Sequence, residues 1–233
     1  MLTEKPALFI PIYYIPLYFS FAKGDSSIDA AVRLLPFICV TIFVTMINGG
    51  LMPKFGYYSP WYMTSGIFLV AGGASMYALL DVDSPISLVY GLSVLCAIGA
   101  GIAQQAAYSI AQAKVPVHRI ADAVGFINSA QLGSTVIALT ITGAVFQNVG
   151  FKLVSEAVEG LDFSPEEIHA ALAGVKSTIF TSISPEVRHK VLEGIVTPIR
   201  DAFVLVFVAG AVNILAALGM KYERLFMEMS AGA

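Results

Sequence analysis

The chain has 233 residues and a mass of 24.8 kDa, with 57% hydrophobic and only 12% charged side chains, about half the roughly 25% charge of soluble globular domains. That deficit excludes an ordinary soluble fold, and a net charge of −3 with no basic patch excludes nucleic acid as a partner. A hydrocarbon core about 30 Å thick takes about 20 apolar residues per helical span, so six spans would use roughly 120 residues, the arithmetic of a compact polytopic membrane protein.

Six apolar stretches follow in chain order: Ala7 to Phe21, Ala31 to Met52, Trp61 to Leu80, Ile86 to Ala113, Ala121 to Gln147 and Ala202 to Met220. The connections AKGDSSID, PKFGYYSP, DVDSP and KVPVHR carry the Gly, Pro, Asp and Ser that end helices and reverse chains. The first stretch is the odd one: about 15 residues reach only about 22 Å, short of the bilayer core. Its Pro11, Pro16 and clustered tyrosines also separate it from a secretory signal. Cys39 and Cys96 lie inside apolar runs, where thiols act as small packing residues.

The domain reading is therefore residues 1–147 for five spans, 148–201 for a long extracellular loop, 202–221 for the sixth span and 222–233 for a cytoplasmic tail. In the loop, Ser164-Pro165-Glu166-Glu167 is a capping box and Ser184-Pro185-Glu186 repeats its start, which predicts two short helices. Phe163, Ile168, Leu172, Val175 and Ile179 fall near helical spacing, as in an amphipathic helix on the membrane surface or capping the bundle. Lys5, Lys54, Lys114, Arg119, Lys221 and Arg224 outnumber Lys23 and Arg33 across the short connections, which places both termini in the cytoplasm.

No Asp, Glu, Lys, Arg or His lies near the middle of a predicted span, and His118, His169 and His189 all fall in connections. Haem ligation, a metal cluster and intramembrane proteolysis all lack their imidazole, so neither an enzyme nor a cofactor is expected. The polar residues at depth form stripes: Thr41, Thr45 and Asn48 on the second span, Gln104, Tyr108 and Gln112 on the fourth, Asn128, Gln131 and Thr135 on the fifth. Tyr14 and Tyr18 stand four apart on the first. Facing one cavity, such stripes would offer an amphipathic solute hydrogen bonds and aromatic surface; the bland alternative is interhelical hydrogen bonding at about 0.6 kcal/mol each. Ala97, Gly99, Gly101, Gly72, Gly73 and Gly210 promise close helix contacts.

The connection after the second span reads GGLMPKFGYY, and it resembles the loop that major facilitator transporters carry between the second and third helices of each half. Gly49, Leu51, Lys54 and Gly56 match that loop by position, while Pro53 replaces its acid and Tyr57-Tyr58 its terminal basic pair. YYIPLYF, the LLP at Leu34 to Pro36, FGYYSPW and IGAGIAQQAAYSIAQAKVP are similar, in this order, to the last six helices of fungal drug and proton antiporters with about fourteen spans.

The resemblance implies an all-α membrane protein, one half of a major facilitator fold with a long helical extracellular loop, and an exporter of drugs, toxins or secondary metabolites that is proton-coupled only in its full-length form. Its partners would be the bilayer, an amphipathic substrate and a missing amino-terminal half. Its location would be the plasma membrane, with vacuolar or vesicle membranes as alternatives. Tyr14, Tyr18, Asn48, Gln104, Tyr108, Gln112, Asn128 and Gln131 are the expected substrate-pathway residues. Two rival readings stand beside this one: a truncated, non-transporting subunit of another membrane protein, and a six-helix carrier completed by homodimerisation.

Overall fold

The computed structural model describes residues 4–174 and 179–220, without the side chains at 53, 105, 111–113 and 181. Its elements are the helices α1 (Glu4–Ala22), α2 (Ser27–Val32), α3 (Leu35–Phe55), α4 (Ser59–Leu79), α5 (Ile86–Lys114), α6 (Ile120–Ala157), α7 (Pro165–Ala173), α8 (Ile179–Ser182) and α9 (Pro185–Gly219). Helices α1, α3, α4, α5, α6 and α9 make the bundle, as expected for half of a major facilitator fold.

Among the described residues, five helical stretches are long and apolar enough to cross a membrane: Ser27–Met52, Ser59–Leu79, Ile86–Ile110, Val117–Ala157 and Pro185–Gly219. Helix α1 has 19 residues, about 28 Å at 1.5 Å per residue, but it opens on the charged Glu4 and Lys5. It packs instead against α5, α6 and α9, burying Ala7, Ile10, Tyr14, Tyr18 and Phe19.

Local chemistry sets the helix ends. Ser26 caps α2 by accepting from the Asp29 N–H, and Pro36 and Pro60 sit in the first turns of α3 and α4, where a missing N–H costs nothing. Helix α3 ends at Gly56 with φ +72°, its N–H donating to the Met52 carbonyl, a left-handed cap that favours glycine. Of the loop residues singled out in the sequence, Gly49, Leu51 and Lys54 therefore belong to the last turns of α3. The cationic Lys54 complements the helix dipole there.

Glycines let backbones touch. A Cβ on Gly101 would stand 2.8 Å from the Thr41 carbonyl oxygen, one on Gly72 2.8 Å from the Cys96 nitrogen, and one on Gly73 2.7 Å from the Phe207 nitrogen. The small residues expected to mediate packing thus do so between α3 and α5, α4 and α5, and α4 and α9. Cys96 is buried in this packing, whereas Cys39 is exposed and both thiols are free.

The segment 148–201 is less of a loop than its composition indicates. Helix α6 continues past Gln147 to Ala157, and α9 begins at Pro185, well before Ala202. Polar and charged residues need not end a helix whose backbone hydrogen bonds continue and whose inner face stays buried through Gly150, Val154, Val191 and Ile195. The capping box at Ser164 forms, with the Ser164 hydroxyl accepting from the Glu167 N–H and Glu167 returning the bond. Ser184 also caps a helix, but that helix is α9 itself rather than a short one. Helix α7 folds back on α6, with Leu172 against Gly150. Ile168, Leu172 and Ile179 are buried, while Val175 lies outside the described residues.

The exposed first turns of α9, ahead of its apolar stretch, meet the α4–α5 turn, where His189 Nε2 lies 3.1 Å from an Asp83 carboxylate oxygen and Nδ1 lies 3.3 Å from Glu193. The hydrogen bond to Asp83 is the main cause that raises the His189 pKa above its ordinary value. A raised folded-state pKa means that the contact contributes fully below about pH 6.5 and is lost as pH rises through the folded-state value. Hydrogen exchange in residues 81–85, corrected for intrinsic rates, should therefore quicken as pH is raised through that range, and His189→Gln should abolish the dependence. A dependence that persists in the variant contradicts this assignment.

Candidate functional site

The i, i+3 and i+4 spacing that places Ala7, Ile10, Tyr14 and Tyr18 on the buried side of α1 reaches back to Glu4, which is 2% exposed. A buried carboxylate requires donors, and it has them: the Tyr62 hydroxyl of α4 donates to Oε1 at 3.2 Å and the Gln131 Nε2 of α6 donates to Oε2 at 3.1 Å. On α5 the Tyr108 hydroxyl stands 3.0 Å from Gln131 Oε1 and 2.6 Å from Asn128 Oδ1. Asn128 and Gln131 are three apart and share a face of α6. A chain of hydrogen bonds thus runs from the buried Glu4 to the exposed Asn128, tying four helices together.

The fourth- and fifth-span stripes therefore converge through Tyr108, Asn128 and Gln131. Gln104 lies one turn before Tyr108 and is half-buried. The side chain of Gln112 lies outside the described residues. Glu4 and Tyr62 are additions to the expected set; Glu4 stands in the first turn of α1, ahead of the apolar stretch that begins at Ala7. Glu4 lies three residues before Ala7, on the same buried face of α1.

The other expected residues lie apart. Asn48 Nδ2 donates to the Ile102 carbonyl at 2.6 Å and Thr45 donates to the Gly101 carbonyl at 3.1 Å, so the α3 stripe bonds to the α5 backbone. Thr41 donates to Phe37 of its own helix. Tyr14 packs near Phe146, with ring centroids 6.2 Å apart, and Tyr18 donates to the Asp81 carbonyl at 2.7 Å. Each tyrosine is 1% exposed. In this structure they are core residues.

Beside the polar chain runs an apolar groove of about 410 Å³ between α1, α6 and α9, lined by Pro6, Ile137, Ile141, Leu205, Val208 and Ala209. Ala130, Gly133 and Ser134, next to Gln131 along α6, form its near edge. The groove is apolar apart from Ser134, and mostly apolar concavities of this size are common small-molecule sites.

An all-helical bundle of membrane-crossing length defines the class: a multi-pass integral membrane protein. The Major Facilitator Superfamily profile matches residues 6–139, and the chain belongs to that superfamily. It is 39% identical to Efflux pump patC of Aspergillus clavatus over 94% of this chain and 39% of that protein. It is 40% identical to Efflux pump alnA of Emericella nidulans over 96% of this chain and 40% of that protein. The Phomenoic acid biosynthesis cluster MFS-type transporter of Leptosphaeria maculans shares 33% identity over 97% of this chain and 38% of its own length. The chain thus spans about two-fifths of the length of the curated relatives it matches. No solved structure matches it.

Proposed function

We propose that this chain forms the carboxy-terminal half of a secondary active exporter of amphipathic small molecules, working by alternating access against a facing half at the plasma membrane. The observation that carries the reading is the groove beside the polar chain: apolar walls suit the body of an amphipathic solute, and Gln104, Tyr108, Asn128 and Gln131 suit its polar end. The efflux-pump names of the relatives support export, and the order of the fungal antiporter strings supports the carboxy-terminal assignment. Proton coupling belongs, on this reading, to the assembled two-half transporter, since binding at the interface of halves needs both walls.

Two outcomes test the proposal. In a full-length transporter, Gln104→Ala should change the substrate profile while membrane abundance stays within about twofold, because one interhelical hydrogen bond is worth only about 0.6 kcal/mol. Loss of the protein with an unchanged profile would assign Gln104 to packing instead. For orientation, a cysteine placed at Glu159 should react with an impermeant reagent on intact cells, since the Lys and Arg of the short connections put the opposite side in the cytoplasm. Reaction only after permeabilisation reverses the topology.

A further inference from the structure

We infer that Glu4, Gln131, Tyr108 and Asn128 form a two-state hydrogen-bond switch, in which protonation of Glu4 turns over the Gln131 amide and redirects the Tyr108 hydroxyl at the α5–α6 surface. The inference deepens the transport reading and rests on it for its purpose, while its geometry stands alone.

The argument is one of donors and acceptors. With Glu4 ionised, both carboxylate oxygens accept, one from Tyr62 and one from Gln131 Nε2. This fixes the amide with Oε1 toward Tyr108, whose single proton then lies between two acceptors, Gln131 Oε1 and Asn128 Oδ1. A proton taken up from solution forms an O–H bond on Glu4 and removes the negative charge. If that bond forms on Oε2, it faces the Gln131 N–H, donor against donor.

Turning the amide over restores every bond: Gln131 Oε1 accepts from Glu4, Nε2 donates to the Tyr108 oxygen, and Tyr108 gives its proton wholly to Asn128. Placing the proton on Oε1 instead would make the Tyr62 oxygen an acceptor and leave the Tyr62 hydrogen without an acceptor among the described residues. Buried polar groups left unpaired cost about 1–3 kcal/mol each, which selects the turned amide. Among the described residues, the groups hydrogen-bonded to Glu4 include the Tyr62 phenol from α4 and the neutral Gln131 from α6. The charge state of a buried carboxyl is thereby read out at Asn128, which is exposed.

Infrared difference spectra of the purified chain in lipid, recorded on acidification, test this. A protonated-carboxyl band at the high frequency of a buried acid, distinct from that of the exposed carboxyls, should grow and a tyrosine ring band should shift with the same midpoint. Glu4→Gln should lose both signals. Gln131→Leu should keep the carboxyl band and lose the tyrosine shift, and Tyr108→Phe should do the same; these two variants keep the test open if Glu4→Gln does not fold. No such buried-acid band in the unmodified chain, one that survives in Glu4→Gln, or a tyrosine shift that survives in Gln131→Leu would each overturn the switch. Because no solute moves in this measurement, coupled titration in a protein whose full-length form fails to transport overturns the export reading alone, and transport without it overturns the switch alone.

Discussion

Gly210→Val should strip this protein of its folded bundle, lowering stability in detergent by about 3 kcal/mol or more, the upper end of overpacking effects. A Cβ at Gly210 would stand 2.7 Å from the Val70 nitrogen and 2.8 Å from both the Gly66 carbonyl oxygen and Leu69 Cβ. Two of these three neighbours are backbone, which cannot swing aside as a flexible side chain can. The reciprocal glycine is equally tight: a Cβ at Gly66 would lie 2.7 Å from the Gly210 carbonyl oxygen. Helices α4 and α9 would have to part along their whole crossing, opening the packing that buries Leu69, Met76, Phe203 and Val206. Gly133→Ala is the matched control, because nothing lies within 4 Å of its Cβ position; there the gain in helix propensity should leave stability unchanged or raised by up to about 1 kcal/mol. Unfolding by denaturing detergent reads both variants. Equal stability of Gly210→Val and the parent would mean that α4 and α9 do not cross at these glycines.

Liposomes holding this chain alone, with an imposed pH gradient, should move a fluorescent amphipathic cation no faster than protein-free liposomes. Alternating access needs a site closed first on one side and then on the other by two facing bodies. In this chain the groove is bounded by α1, α6 and α9 alone, which form one body and cannot close it alternately from two sides. Large apolar side chains of α3 and α6 face outward, among them Met46 and Phe126, each 72% exposed; they await lipid or another protein surface. Glu4 supplies a group that can bind a proton, yet a titratable group without a gated path couples to nothing. Supplying the facing half in the same liposomes should restore movement that stops when the gradient is collapsed. Gradient-driven movement by the chain alone would instead establish a self-sufficient carrier, formed by two copies.

The helical bundle was legible from residue types, because a membrane imposes one strong rule: each crossing segment must be apolar for about 20 residues and satisfy its own backbone. The glycine contacts were legible for a related reason, since small residues in apolar helices have few uses other than close approach. Capping at Ser164 and Ser184 was likewise written locally, in a serine, a proline and an acid. By composition the long segment after Gln147 reads as a loop, because composition records polarity, whereas the continuation of α6 to Ala157 and the early start of α9 depend on a buried inner face.

The polar residues divide the two kinds of information most sharply. Asn48, Gln104, Tyr108, Asn128 and Gln131 could be placed on helical stripes from their spacing, since rotation per residue is a local property. Which stripes meet depends on how each helix is turned about its axis, and that is set by contacts between residues far apart in sequence. Rotation of α3 against Gly101 gives Asn48 to the α5 backbone, and rotation of α1 turns Tyr14 and Tyr18 into the core. That same rotation brings Glu4 within reach of Gln131, 127 residues away in the chain. Solvation in a bilayer is legible one residue at a time, which is why sequence yields the membrane class and the spans; a hydrogen-bond partner is a relation between two helices, and it exists only once their packing has set both rotations.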